Sequence, residues 1–193
     1  MSVIGKHGIT ATTPEDILLG AGTYMSNLEY KAGAWTGEIL GATSGGGKIS
    51  VAGEFYDIPV DGALVKVKGL TVKNGGTVTV EATFAELSTK VMKMATLFKE
   101  GVTDAEGFTM LQDKAAIAEG DYVKNFGFVG YTANNAKQII FVMENALCTS
   151  GMEIESKNKE AATVKLTMEA YANNEGDLDT LPVKIYYPDA ATV

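Results

Sequence analysis

The sequence predicts a mainly β protein, an antiparallel β-sandwich or flattened barrel with one main flanking α-helix. Two segments alternate strictly with period two. In residues 77–85, Val78, Val80, Ala82 and Phe84 share one face, while Thr77, Thr79, Glu81 and Thr83 share the other. In residues 162–171, Ala162, Val164, Leu166, Met168 and Ala170 oppose Thr163, Lys165, Thr167 and Glu169. Successive strand residues point to opposite faces, so this pattern describes strands with one face buried and one face wet. Turn-forming residues separate the apolar runs, and only one stretch changes to helical period.

In chain order, the N-terminal segment to about Gly47 is rich in glycine and small residues, and residues 1–15 are expected to form a flexible arm. Strands are expected over 16–25, 37–40 and 49–58, with a Gly-rich connector over 43–47 and Asp57-Ile58-Pro59 interrupting the third. Asp61-Gly62 turns the chain toward a strand over 64–72, and Lys73-Asn74-Gly75-Gly76-Thr77 reads as a hairpin, because Asn-Gly readily takes positive φ. After the strand 77–85, Leu87, Val91, Met94, Ala95 and Phe98 fall at i, i+4, i+7, i+8 and i+11, one stripe of a helix. Ser88 or Thr89 caps its start and Gly101 follows its end. Further strands are expected over 109–118, 122–131, 138–143, 152–155, 162–171 and 183–187, with turns at Glu119-Gly120-Asp121 and Asn134-Asn135. No repeat and no Pro- or Ser-rich linker divides the chain, so residues 1–193 read as a single domain.

Composition narrows the function. Hydrophobic residues make up 46% and charged residues 21%, enough apolar surface for a core. No stretch reaches the roughly 18 to 20 apolar residues of a membrane helix. Nor does the N-terminus carry a signal-peptide pattern. Net charge is −8 and every one of the 16 cations is lysine. Arginine is the preferred fork for phosphates and base edges, so its absence argues against sequence-specific nucleic-acid reading.

Catalytic groups are scarce. The single histidine, His7, lies in the leader, and the single cysteine, Cys148, stands beside Thr149 and Ser150 as a small strand residue. No Cys/His cluster exists for zinc, and no catalytic residue, metal ligand or cofactor is expected; the chain reads as a non-enzyme. Residues 42–49 resemble a phosphate loop, but Ala42 replaces its first glycine and Ile49 stands where Ser or Thr should hold magnesium. The carboxylates of 173–179 do not keep the register of a calcium loop and are expected to form a solvated turn between two strands.

The order of motifs carries a resemblance. Asp16-Ile17-Leu18-Leu19-Gly20-Ala21-Gly22-Thr23-Tyr24 leads to Leu40-Gly41-Ala42-Thr43-Ser44-Gly45-Gly46, then Tyr56-Asp57-Ile58-Pro59-Val60-Asp61-Gly62 and Val67-Lys68-Gly69-Leu70. The strand 77–85 runs into Glu86-Leu87-Ser88 and the helix. Phe141-Val142-Met143-Glu144-Asn145-Ala146 and Leu181-Pro182-Val183-Lys184-Ile185-Tyr186-Tyr187-Pro188 complete the set.

Over nearly its whole length the chain resembles the tail-tube (major tail) proteins of long-tailed bacteriophages. The resemblance implies a β-sandwich with a flanking helix, assembled as hexameric rings that stack into a hollow conduit for DNA. It implies partners in other copies of the chain and in tape-measure, tail-terminator and baseplate components. DNA would be passing cargo only, with no membrane partner. The location implied is the virion tail, made and assembled in the bacterial host cytoplasm. It implies no catalytic residues and no cofactor.

A conduit wall must not bind its cargo, so the lumen-facing side of a strand should be small, polar and acidic. Thr79, Glu81 and Thr83 are the first candidates to face the lumen. Thr167 and Glu169 come second, with Lys165 softening their field. Two other readings remain open: a tube subunit of a phage-derived injection device or bacteriocin that carries no genome, and a β-sandwich glycan- or surface-binding module in which Trp35, Tyr30 and Tyr24 form an aromatic platform.

Overall fold

The computed structural model describes residues 8–11, 13–103, 105–133, 137–156 and 158–188. A short helix, α1 (Thr13–Asp16), precedes β1 (Leu18–Lys31), which turns into β2 (Ala34–Ile39). The strands β3 (Thr43–Asp57) and β4 (Thr71–Phe84) form a long hairpin and lead to α2 (Thr89–Thr96). Two short strands, β5 (Lys99–Glu100) and β6 (Leu111–Gln112), pair with each other. Then follow β7 (Phe126–Thr132), β8 (Gln138–Met143), β9 (Ala146–Cys148), β10 (Ile154–Glu155), β11 (Thr163–Ala170) and β12 (Val183–Tyr186).

Two antiparallel sheets form the sandwich. The first runs β12-β8-β7-β1-β2; the second runs β10-β11-β4-β3, with β9 also pairing with β11. The inner face of the second sheet is the alternating set read from the sequence: Val78, Val80, Ala82 and Phe84 from β4 and Val164, Leu166 and Met168 from β11, each 0 or 1% exposed. Against it the first sheet sets Tyr24, Phe126, Phe128 and Met143. Tyr24 is the hub, with ring centroids 6.0 Å from Phe84, 6.0 Å from Phe126 and 5.3 Å from Phe128. Full burial of each such side chain is worth about 1.5–3 kcal/mol, so this layer dominates the stability of the fold.

The expected helix is present but shorter. Ser88 caps it, its hydroxyl accepting from the Val91 amide at 3.3 Å, and Val91, Met94 and Ala95 join the core. It ends at Leu97, which takes the left-handed conformation at φ 58°, and not at Gly101. Leu87 and Phe98 therefore lie outside the helix and are only partly buried, so the stripe is three residues deep in the core.

Three other expectations are corrected. Lys73-Asn74-Gly75-Gly76-Thr77 is not a hairpin but the continuous body of β4, paired with β3 through Gly53↔Gly76 and Glu54↔Gly75. Gly76 is needed there for space, because a Cβ would meet the Ala52 carbonyl oxygen at 2.4 Å. The true reversal is the 58–70 loop, so the strand expected over 64–72 is absent before Thr71, and Pro59 falls outside the ladder. The Gly-rich connector of 43–47 is the first part of β3, pairing Thr43↔Phe84 and Gly47↔Ala82 around a bulge. Gly45 and Gly46, at φ 79° and 76°, make that bulge.

The strand over 109–118 reduces to β6. Two strands outrun their sequence signal, since β1 extends to Lys31 and β2 starts at Ala34. Cys148 is a buried strand residue of β9, in keeping with its sequence setting. The leader 1–7 with His7, and Asn134-Asn135, lie outside the described residues.

One ion pair ties down the crossing between α2 and β7. Asp121 closes a 3-10 turn: its carboxylate accepts from the Ala118 amide at 2.7 Å, and both of its oxygens accept from the Lys114 ammonium. Side-chain exposure is 18% for Lys114 and 10% for Asp121. Burial is the largest single influence and pushes the Asp121 pKa up. The hydrogen bonds from Lys114 and Ala118, with the Lys114 charge, together outweigh it, and the net pKa lies below the ordinary aspartate value.

A depressed carboxylate contributes stability above its unfolded pKa and loses it as pH falls through the folded value. Asp121→Asn is accordingly expected to lower stability by about 1–3 kcal/mol near pH 7. Urea unfolding should show that gap closing as pH falls below the ordinary aspartate range; a gap unchanged with pH would assign the loss to shape alone.

Candidate assembly surface

The polar positions singled out by alternation do converge. On the outward face of the second sheet, β3, β4 and β11 set their residues in rows: Ser50 beside Thr79 beside Glu169, Lys48 beside Glu81 beside Thr167, and Thr83 beside Lys165. Thr79, Glu81, Thr83, Thr167 and Glu169 are thus neighbours on one face, each partly exposed, with the core directly beneath. Cross-strand pairing places them, because Val80, Ala82, Leu166 and Met168 between them must point inward.

The electrostatics are more balanced than the sequence pattern implied. Glu81 accepts from Lys165 Nζ at 2.6 Å and faces Lys48 Nζ at 3.6 Å. The Lys165 hydrogen bond, then its charge, holds the Glu81 carboxyl below the usual range, so it stays ionised well below neutral pH. Lys165 therefore does more than soften a neighbouring field, and Glu81 is shared between two lysines. With Glu169 the centre of the face carries two lysines and two glutamates: polar, threonine-rich and without net charge.

A second feature adjoins this face. β11 pairs with β4 only over Thr79–Phe84 in the register Glu169↔Thr79 to Val164↔Phe84, whereas β3 follows β4 back to Asp57↔Thr71. Beyond residue 78 toward the loop, the hairpin is a two-stranded ribbon. Val51 on the ribbon is 44% exposed and Phe55 70%, and in the loop at its tip Val65 is 76% and Leu64 98% exposed. The ribbon end is nonetheless organised. Asp57 accepts from Thr71 Oγ1 at 2.5 Å and Lys66 Nζ at 2.6 Å, and the Ile58 amide donates to the Leu70 carbonyl at 2.8 Å. An isolated two-stranded ribbon is marginal in water, and an apolar one with free edges is a template for pairing with another chain.

Other sequence candidates separate. Trp35 and Tyr30 stay together, with centroids 5.4 Å apart, but Tyr24 is 1% exposed in the core and belongs to no platform. The carboxylates of 173–179 form a solvated turn between β11 and β12, with Asp177 accepting from the Asp179 amide and from Thr180 Oγ1, each at 2.9 Å. Lys48, in the phosphate-loop-like segment, is a strand residue engaged with Glu81. Among the described residues no His, Cys, Asp and Glu group is arranged to hold a metal, and no helix is long and apolar enough to cross a membrane.

The ribbon escapes sequence reading because Asn74-Gly75-Gly76 imitates a turn. The signal that reveals it is the run of apolar residues on both sides of the Pro59 and Gly62 loop. Compared with protein-family models and with curated proteins, the chain matches none of them.

Proposed function

We propose that this chain is a structural subunit of a phage tail tube, assembling as stacked hexameric rings into a hollow conduit for DNA. The observation that carries the proposal is the β3–β4 ribbon: an ordered apolar arm, open on both edges, projecting past a complete sandwich core. A subunit whose arm is covered by the next copy makes a heterologous contact, which builds rings if the rotation closes and open-ended stacks if it does not. The ordered motif resemblance points the same way. The second sheet's outward face suits a channel wall, because paired lysines neither leave free cations to grip phosphate nor present a bare acidic field.

In this reading Thr79, Glu81, Thr83, Thr167 and Glu169 face the lumen. Partners are other copies and the tape-measure, terminator and baseplate components, the location is the virion tail, and no catalytic step is involved. Negative-stain microscopy of the concentrated protein, with tail initiators present, is expected to show rings or tubes of one diameter. Leu64→Asp with Val65→Asp should leave the circular dichroism and melting profile unchanged and abolish tubes, since both side chains lie in water in the free subunit. Wild-type protein that stays monomeric under several salt conditions would overturn the tube reading; tubes unaffected by the double variant would remove the arm from it.

A further inference from the structure

We infer that an aromatic cleft on the outward face of the first sheet is a binding site for a neutral saccharide chain. Tyr30, Trp35, Tyr131, Gln138, Tyr186 and Tyr187 line a cleft of about 620 Å³, floored by Ile140. The register explains the gathering: Tyr131↔Gln138, Val129↔Ile140 and Ile140↔Tyr186 put these residues on one face, away from the Tyr24 hub.

β2 and β12 are the opposite edges of the sheet, yet Trp35 and Tyr186 stand ring to ring at 4.7 Å with a 72° tilt. Sheet coiling accounts for this approach, and the β1–β2 ladder carries a register shift between Ser26 and Glu29, where a bulge adds local twist. A buried apolar layer of Leu28, Val129, Ile140 and Val142, with Trp35 packed on it, holds the hairpin there. The cleft is therefore built into the fold and open to water: Tyr30 is 59% exposed, Tyr186 43% and Tyr187 53%.

Its chemistry selects the ligand class. The charged groups nearby are already engaged. Lys137 Nζ lies 3.5 Å from Glu15 and 3.6 Å from Asp16, and the Tyr187 hydroxyl donates to Asp16 Oδ1 at 2.9 Å. Among the described residues of the lining, no free charge remains to select an anion or a cation. The hydroxyls of Tyr30, Tyr131 and Tyr186 and the Gln138 amide make no hydrogen bond among the described residues.

These groups both donate and accept, as sugar hydroxyls do. The tilted rings supply flat apolar faces for the C–H side of a pyranose. An apolar protein segment in the same place would bury the hydroxyls and the amide without partners. The volume lies within the range of small-ligand pockets and suits two or three sugar units. The site rests on the free subunit alone and does not depend on the tube. In a tube whose lumen is lined by the second sheet, this face would point outward and repeat in every subunit, so individually weak sites would gain by avidity.

Trp35 is the only tryptophan and lies in the cleft, so its emission reports occupancy directly. The probes are maltotriose, cellotriose, N-acetylchitotriose and galactotriose, with sialyllactose and a proline-rich peptide as contrasts. At least one neutral trisaccharide is expected to give a saturable shift with Kd of about 1 mM or tighter. Tyr30→Ala and Gln138→Ala, both at exposed positions, should each weaken it about tenfold or more at unchanged melting temperature. The inference is overturned by no saturable response to any neutral probe up to about 10 mM, by saccharide binding that both variants leave intact, or by a response confined to the peptide or to rising protein concentration, which assigns the cleft to a protein partner.

Discussion

Phe84→Ala is expected to lower the unfolding free energy by about 3–5 kcal/mol. Phe84 is 0% exposed and sits where the two sheets and the helix meet, paired with Val164 in β11 and packed against Tyr24 with ring centroids 6.0 Å apart at a 59° tilt. Truncation removes the ring's transfer free energy and leaves a cavity the surrounding β ladder cannot collapse, because Val164 and Thr43 are held on either side by backbone pairing. The aromatic pair with Tyr24 adds about 0.5–1.5 kcal/mol to what is lost. A small domain has only about 5–15 kcal/mol in total, so the variant should stand near its unfolding threshold at 37 °C.

Phe84→Leu, which keeps most of the volume, should cost roughly 1.5 kcal/mol or a little more. Phe98→Ala, beyond the helix end and only partly buried, should cost less than about half of the Phe84→Ala loss. Urea midpoints at unchanged m report these losses directly. Equal losses for Phe84→Ala and Phe98→Ala would restore the five-residue helical stripe read from the sequence.

The contrast between those two phenylalanines shows where the sequence was legible. Phe84 stands in an unbroken alternation, and such a pattern has one physical solution: a strand buried on one side. The same holds for Val164, Leu166 and Met168, and from these the class of fold and the polar face of Thr79, Glu81 and Thr83 both follow. Phe98 stands one residue past Leu97, whose left-handed conformation ends the helix without a glycine to announce it.

Glycine misled in the opposite sense. Asn74-Gly75-Gly76 carries turn chemistry, yet Gly76 is there because β3 passes too close for a side chain. Gly45 and Gly46 serve a bulge inside a strand where a connector was expected. Local chemistry shows that the backbone needs freedom but not whether a turn or a close neighbour requires it. The aromatic cleft depended on still less local information: Tyr30, Trp35, Tyr131 and Tyr186 come from four strands, and only the sheet order and coiling unite them. The charge pairing of Glu81 is intermediate. Lys165 was visible as a neighbour on the same face, but Lys48 arrives from a strand whose beginning read as a connector.

On the proposed tube reading, Glu81→Lys is expected to leave tubes intact while slowing DNA passage, with the delay shrinking as salt rises. The substitution does more than reverse one charge. Glu81 holds Lys165 at 2.6 Å and Lys48 at 3.6 Å, so replacing it frees both of those lysines and adds a third on the same three-strand patch. If this face lines the channel, the patch repeats around every ring and along the whole tube, and a moving polyanion meets uncompensated cations at each step. Each lysine–phosphate contact releases counterions and strengthens binding with a log–log salt slope of about −0.9 per contact on duplex DNA. The retardation should therefore be severe near 50 mM salt and much reduced near 200 mM.

Glu81→Gln separates the two parts of the effect, because it frees Lys48 and Lys165 without adding a cation and should give a smaller delay with a shallower salt slope. Folding should tolerate both variants: the Glu81 side chain is 29% exposed, and the core residues Val80 and Ala82 on either side of it are unchanged. Ejection measured on particles built with each variant, at the two salt concentrations, tests the assignment. Three results would remove Glu81 from the lumen: loss of tubes in both variants at normal melting temperature, passage equal to wild type at low salt, or a tube reconstruction with this face on the outer wall.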